Sequence, residues 1–196
     1  MIYPILKFLT EQLNQYIDQV KKANDTLTSP VVLLESIVNL EESKIKEKNN
    51  LLLFIVNISE ESAMKNHPGF VQSGTEETIY RNPPLNLNLY VVVTAVMANY
   101  ENELRYLSHV LRFFQGKQVF THQNSVSQVE GMPDGFKIIL DFYSLSFEQI
   151  NYLWSTLGGK QHPFVCYKLR MVEVERESTM ETRGVIRQIR IEEKIT

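Results

Sequence analysis

The sequence predicts an α+β fold, a mixed β-sheet with helices packed on it, and two observations carry that expectation. Leu85 to Gly116 and Lys137 to Gly159 each run from an apolar strand through a capped amphipathic helix to a glycine, and each leads into a further strand. A third amphipathic helix opens the chain, so helices and strands alternate without any residue-level repeat.

In chain order, Ile2, Ile5, Leu6, Leu9, Leu13, Tyr16, Ile17 and Val20 fall on one side of the first helix, with Pro4 tolerated in its first turn. Its polar side mixes Glu11 and Asp18 with few lysines, which suits a helix covering one face of a domain better than one lying on a membrane. Thr26 to Pro30 read as a turn, Val31 to Leu34 with Ile37 and Val38 as a strand, Glu41 to Asn50 as a charged connection, and Leu51 to Ile58 as a buried strand. The expectation is that these two strands pair as a long hairpin. Ser59 to Tyr80, with Pro68-Gly69 and Ser73-Gly74, reads as a long exposed loop.

After the stiff Arg81-Asn82-Pro83-Pro84, Leu85, Leu87 and Leu89 alternate with Asn86 and Asn88 before the run becomes continuous through Tyr90, Val91, Val92, Val93 and Ala95. That is the pattern of a strand that begins half-exposed and ends buried on both faces. Asn99 can cap the next helix, whose expected apolar face is Leu104, Leu107, Leu111 and Phe114, with Asn102, Arg105, His109 and Arg112 opposite and Gly116 as the stop. Lys117 to Thr121 is a short strand, His122 to Gly135 a polar segment turning at Gly131 to Gly135, and Lys137 to Tyr143 another strand. Ser146 and Gln149 have the spacing of a capping box for a helix on which Phe147, Ile150, Leu153, Trp154 and Leu157 are apolar and which Gly158-Gly159 closes. In Phe164 to Val174, Val165, Tyr167, Leu169 and Met171 alternate with Lys168 and Arg170, so one face is expected in solvent. The last candidate strand, Val185 to Ile191, belongs to a hairpin or an arm. The expected organisation is one domain over residues 1–174 and a C-terminal extension, a strand or arm, over 175–196.

With 196 residues, 43% of them hydrophobic, the chain can bury a sizeable core. A net charge of -3 with acids and bases interspersed leaves no electrostatic footprint for nucleic acid or an anionic membrane. The longest apolar run, Leu51 to Val56, is far short of the ~20 residues that span a bilayer, and the N-terminus lacks the marks of a signal peptide. A single cysteine, Cys166, lies in an apolar run and reads as a structural thiol. The expectation is a reduced, cytoplasmic protein with no membrane insertion.

Catalytic chemistry finds little support. His67, His109, His122 and His162 show no metal-ligand spacing. Gly158-Gly159-Lys160 ends a helix instead of opening one, the wrong polarity for anion capture, and the flanking Trp154 and Gln161 break the phosphate-loop pattern. No Gly-x-Ser-x-Gly elbow occurs, and Asp134 and Asp141 do not form an acid pair. No catalytic, cofactor or metal residue is assigned.

Several ordered blocks do carry a resemblance: Leu85 to Ala95, Asn99-Tyr100-Glu101, Phe113 to Lys117, Phe120 to Ser125, Gln149 to Trp154, and Leu157 to Lys160. Over Leu6 to about Val174 they resemble the tail-terminator or cap proteins of extracellular contractile injection systems, phage-tail-like particles of the antifeeding-prophage type. The resemblance implies a phage tail-terminator-like fold without enzymatic activity or cofactor, assembled as a homohexameric ring at the baseplate-distal end of inner tube and sheath, whose elongation it stops. The partners it implies are copies of itself and the tube and sheath proteins, within a particle assembled in the cytoplasm. Specificity then comes from shape and strand edges. Surfaces that could supply it are Ser59 to Tyr80, His122 to Gly135 and Val185 to Ile191, with His122, Asn124, Lys160, His162, Val185, Ile189 and Ile191 as candidate interface residues. The alternative is a small cytoplasmic α+β enzyme or ligand-binding domain with a cleft near His122 and His162.

Overall fold

The computed structural model describes residues 1–21, 30–39, 49–61, 70–73, 77–80, 85–125, 130–132, 135–174 and 181–184. Most of the expected turn at Thr26 to Pro30, most of the Glu41 to Asn50 connection and the strand Val185 to Ile191 lie outside the described residues.

The elements are α1 (Ile2–Val20), β1 (Val32–Leu34), β2 (Asn50–Glu60), β3 (Phe70–Ser73), β4 (Glu77–Tyr80), β5 (Leu85–Val96), α2 (Tyr100–Gly116), β6 (Val119–Thr121), β7 (Lys137–Phe142), α3 (Phe147–Thr156), β8 (Phe164–Val174) and β9 (Glu181–Gly184). Six strands form a mixed sheet in the order β1-β2-β5-β8-β7-β6, and β3-β4-β9 form a second, antiparallel sheet. The chain divides into one unit of Met1–Glu60 with Leu87–Val172 and another of Glu61–Asn86 with Glu173–Thr196.

In the first unit the sheet is covered on both faces. Trp154 of α3 joins Leu52, Phe54, Val92 and Cys166 in one cluster, with Ile150, Leu153 and Leu157 packed against it. Strand side chains alternate, so Leu51, Leu53, Val91, Val93 and Tyr167 point to the opposite face. That face carries α1 and α2. Tyr16 meets Phe113 at 5.2 Å, Phe8 meets Phe120 at 5.9 Å, and Phe114 meets Tyr167 at 4.7 Å between ring centroids. Leu9, Leu13 and Ile17, expected on the apolar side of α1, are fully buried there.

Four expectations are corrected. β1 does not form a hairpin with β2. The two run parallel, Val32 opposite Leu51 and Leu34 opposite Leu53, because the long connection between them, which begins with a 3-10 turn at Ile37–Asn39, is a crossover and not a tight turn. Asn14 of α1 closes the pair, its Nδ2 donating to the Val32 carbonyl and its Oδ1 accepting from the Val32 N–H, both at 2.8 Å. The stretch Ser59 to Tyr80 is not one loop, since β2 continues through Glu60 and β3 and β4 form a hairpin with Phe70 opposite Tyr80. Asn86 and Asn88 are not on a solvent face but 8% and 4% exposed, because β5 is an interior strand. In α2 the stripe has rotated: Tyr106, Leu107, Val110 and Phe114 are buried, while Leu104 and Leu111 lie at its exposed margin.

The helix ends follow local chemistry. Asn99 Oδ1 accepts from the Glu101 N–H at 2.9 Å. Ser146 and Gln149 form the expected reciprocal box, at 3.3 and 2.9 Å. Gly158 and Gly159 both have positive φ, and the Gly159 N–H reaches the Trp154 carbonyl at 2.7 Å, the six-to-one bond of a Schellman ending. Gly116 instead ends α2 without a left-handed residue, and extended Lys117 donates its N–H to the Phe113 carbonyl.

Candidate assembly surfaces

His122 and Asn124 sit in a 3-10 turn after β6, and the two residues have different roles. Asn124 holds the turn itself: its Oδ1 accepts from the Thr121 N–H and its Nδ2 donates to the Val119 carbonyl, both at 2.9 Å. Lys117 Nζ donates to the Asn124 carbonyl at 2.5 Å and lies 4.7 Å above the Phe120 ring, and partial burial lowers its pKa. His122 is exposed beside this scaffold.

His162 stands elsewhere. Its Nδ1 lies 3.7 Å from Oε1 of the buried Glu103, which also accepts the Met97 N–H at 3.1 Å, and its ring lies 6.2 Å from that of Trp154. Next to it the Pro163 carbonyl accepts from the Ala95 N–H and from Thr94 Oγ1, fixing the approach to β8 against the end of β5. Lys160 is exposed in the loop before it. Val185, Ile189 and Ile191 lie outside the described residues.

The structure does not bring His122 and His162 into one cleft. β7 and β8 are antiparallel, with Ile139 opposite Arg170 and Phe142 opposite Tyr167, so His122, which follows Thr121 opposite Lys137 at the start of β7, is at the far end of β8 from His162. Roughly 30 Å of strand separates them at about 3.3 Å per residue. Among the described residues no group of His, Cys, Asp and Glu is placed to hold a metal, and no helix is long and apolar enough to cross a membrane. Asp141 pairs with Arg170 across β7 and β8 at 2.5 Å. Burial pushes the Cys166 thiol up to about 11, so it is no nucleophile near neutrality.

The surface does offer shape. One groove of about 370 Å³ lies beside α3 and is lined by Val56, Asn57, Tyr90, Tyr143, Leu153 and Cys166, among others. A second, also about 370 Å³, is lined by Leu111, Phe114, Leu140, Phe142 and Tyr167 with the amides of Gln115 and Gln118. Phe142 is 56% exposed, Tyr152 66%, and Phe147 92%. Periodicity placed Phe147 on the buried stripe of α3, but it is the first helical residue. Helical side chains lean toward the N-terminus, so this ring reaches past the packed turn into solvent. Its position directly after the Ser146 cap was the signal available in the sequence.

Comparison with known proteins places this fold in a family. The model of the Pvc16 N-terminal domain family matches residues 5–188. The chain belongs to that family. Its fold is shared, at 13% identity and a TM-score of 0.65, with the sheath/tube terminator of PVC, an extracellular contractile injection system, in its extended state; the similarity covers 100% of this chain and 64% of that one. It is shared also with the tube-terminating cap of the anti-feeding prophage, at 12% identity and a TM-score of 0.61, over 96% of this chain and 60% of that one. The chain thus spans less than two thirds of either neighbour's length. No curated protein matches the sequence.

Proposed function

We propose that this protein is a structural terminator of a contractile injection system: it caps the baseplate-distal end of the inner tube and sheath and stops their elongation. The observation that carries the reading is membership of the Pvc16 N-terminal domain family across residues 5–188, together with a fold shared along the whole chain with two tube terminators. The reading takes the working form as a homohexameric ring whose partners are its own copies and the tube and sheath proteins, and the protein as a component of the particle without enzymatic activity. In this reading residues 1–174 are the terminator domain and 175–196 an extension, with Val185, Ile189 and Ile191 alternating along an arm that adds to a neighbour's sheet edge.

A cap binds growing ends and not subunits, so it acts at low stoichiometry. Inner-tube protein polymerising in vitro should stop lengthening when this protein is added at a small fraction of the tube-subunit concentration. Elongation that slows only at equimolar protein, or not at all, would contradict the proposal.

A further inference from the structure

The six-stranded sheet ends on β1 at one side and on β6 at the other, and an outermost strand turns a row of backbone groups away from the sheet, a template for a further strand. Along a strand these groups alternate in direction. On β6 the Gln118 carbonyl accepts from the Leu140 N–H of β7, so Phe120, two residues on, also faces β7, and the backbone groups of Val119 and Thr121 face outward. Three of those four are taken. Asn124 Nδ2 donates to the Val119 carbonyl, Asn124 Oδ1 accepts from the Thr121 N–H, and the Ser125 hydroxyl donates to the Thr121 carbonyl. The fourth is the Val119 N–H. On β1 the Val31 carbonyl accepts from the Leu51 N–H of β2, so the groups of Val32 face outward, and the Asn14 amide takes both of them.

We propose that Asn14 and Asn124 seal the two edges of the six-stranded sheet against strand addition, so that neither a second copy nor a strand of another subunit extends it. Each asparagine presents a carbonyl and an N–H as a strand residue would. Asn14 bonds both groups of one residue, the pattern of an antiparallel neighbour, and Asn124 bonds the carbonyl of one residue and the N–H of the next but one, the pattern of a parallel neighbour. Capping the 3-10 turn needs only the bond to the Thr121 N–H; the bond to the Val119 carbonyl lies outside the turn. Backbone groups already satisfied offer an incoming strand no net bond, whereas an open edge pairs with any strand that meets it. A subunit that ends the growth of others must not itself be a growing edge. The seal does not depend on the ring reading, but it narrows it: a neighbour's arm that adds to a sheet is left the smaller one, whose outer strands are β3 and β9.

Amide hydrogen exchange on the full parent chain reads the seal directly. Val119 and Thr121 turn their N–H groups to the same side of the same strand, so only the Asn124 bond distinguishes them. Thr121 should exchange more slowly by on the order of tenfold or more, and equal rates would overturn the proposal. Asn124→Ala and Asn14→Ala, each checked by circular dichroism for a parent-like fold, should open one edge apiece, and two open edges of one kind pair about a twofold axis. The mean mass by analytical ultracentrifugation should then rise with concentration to about twice that of the parent. Val119→Pro removes an outward N–H and no bond of the β6–β7 ladder, so added to Asn124→Ala it should return the mass to the parent value. A parent-like mass for either folded variant, or association that Val119→Pro does not reverse, would overturn the seal. The elongation test above is independent of these measurements, so failure here leaves the terminator reading standing.

Discussion

Leu13 is fully buried between α1 and the sheet, where truncation removes packed atoms and leaves a cavity. Leu13→Ala should cost about 2–5 kcal/mol, read as a lowered denaturant midpoint, and an unchanged midpoint would mean that α1 does not pack as described. Two neighbours on β8 set an alkaline limit. Burial pushes the Cys166 thiol from 9.0 up to about 11 and the Tyr167 phenol from 10.0 up to about 12. Both hold their protons more tightly folded than unfolded, so their stabilisation is complete below pH 9 and is lost as pH rises through 11 and 12. Urea midpoints should fall across that window, and Cys166→Ala should flatten its lower half; a flat profile for the parent chain would contradict their burial. Residue-scale burial was only partly legible in the sequence. Leu9 and Leu13 followed from helical period, but Asn86 and Asn88 read as a solvent face, because alternation reports which side a residue is on and not whether that side is covered.

At the scale of elements, what depended on neighbouring residues was readable. Ser146 and Gln149 announced the start of α3 and the two glycines its end, since caps and left-handed turns are chosen locally. Ser146→Ala should cost about 1 kcal/mol in a stability measurement, and no cost would mean that the box does not hold in solution. Pairing between distant strands was not readable. The parallel β1–β2 register depends on a crossover and on the Asn14 side chain, and neither leaves a short-range pattern. Asn14→Leu should therefore destabilise by about 1–3 kcal/mol by leaving the Val32 peptide without its partner, a loss that a denaturation midpoint would register. The terminal segment belongs to this scale too. Ending the chain at Gly184 keeps β9 and its pairing with β4 and should weaken assembly more than folding. Equal loss of both, or of neither, would argue against an arm.

At the scale of the whole molecule, the proposed function was legible only as a family pattern spread over ordered blocks, because docking surfaces carry no short chemical signature. Histidine chemistry suggests a site, yet the register of β7 and β8 sets His122 and His162 at opposite ends, while Phe147, the most exposed aromatic ring among the described residues, has the periodicity of a core residue. What grooves and edges amount to is decided by the assembly they enter. The most direct measurement is the length distribution of particles by electron microscopy, assembled with and without this protein. With it, tubes and sheaths should end at a defined length; without it, they should be of uncontrolled or unstable length. Distributions of equal mean, width and stability in the two preparations would contradict the terminator assignment.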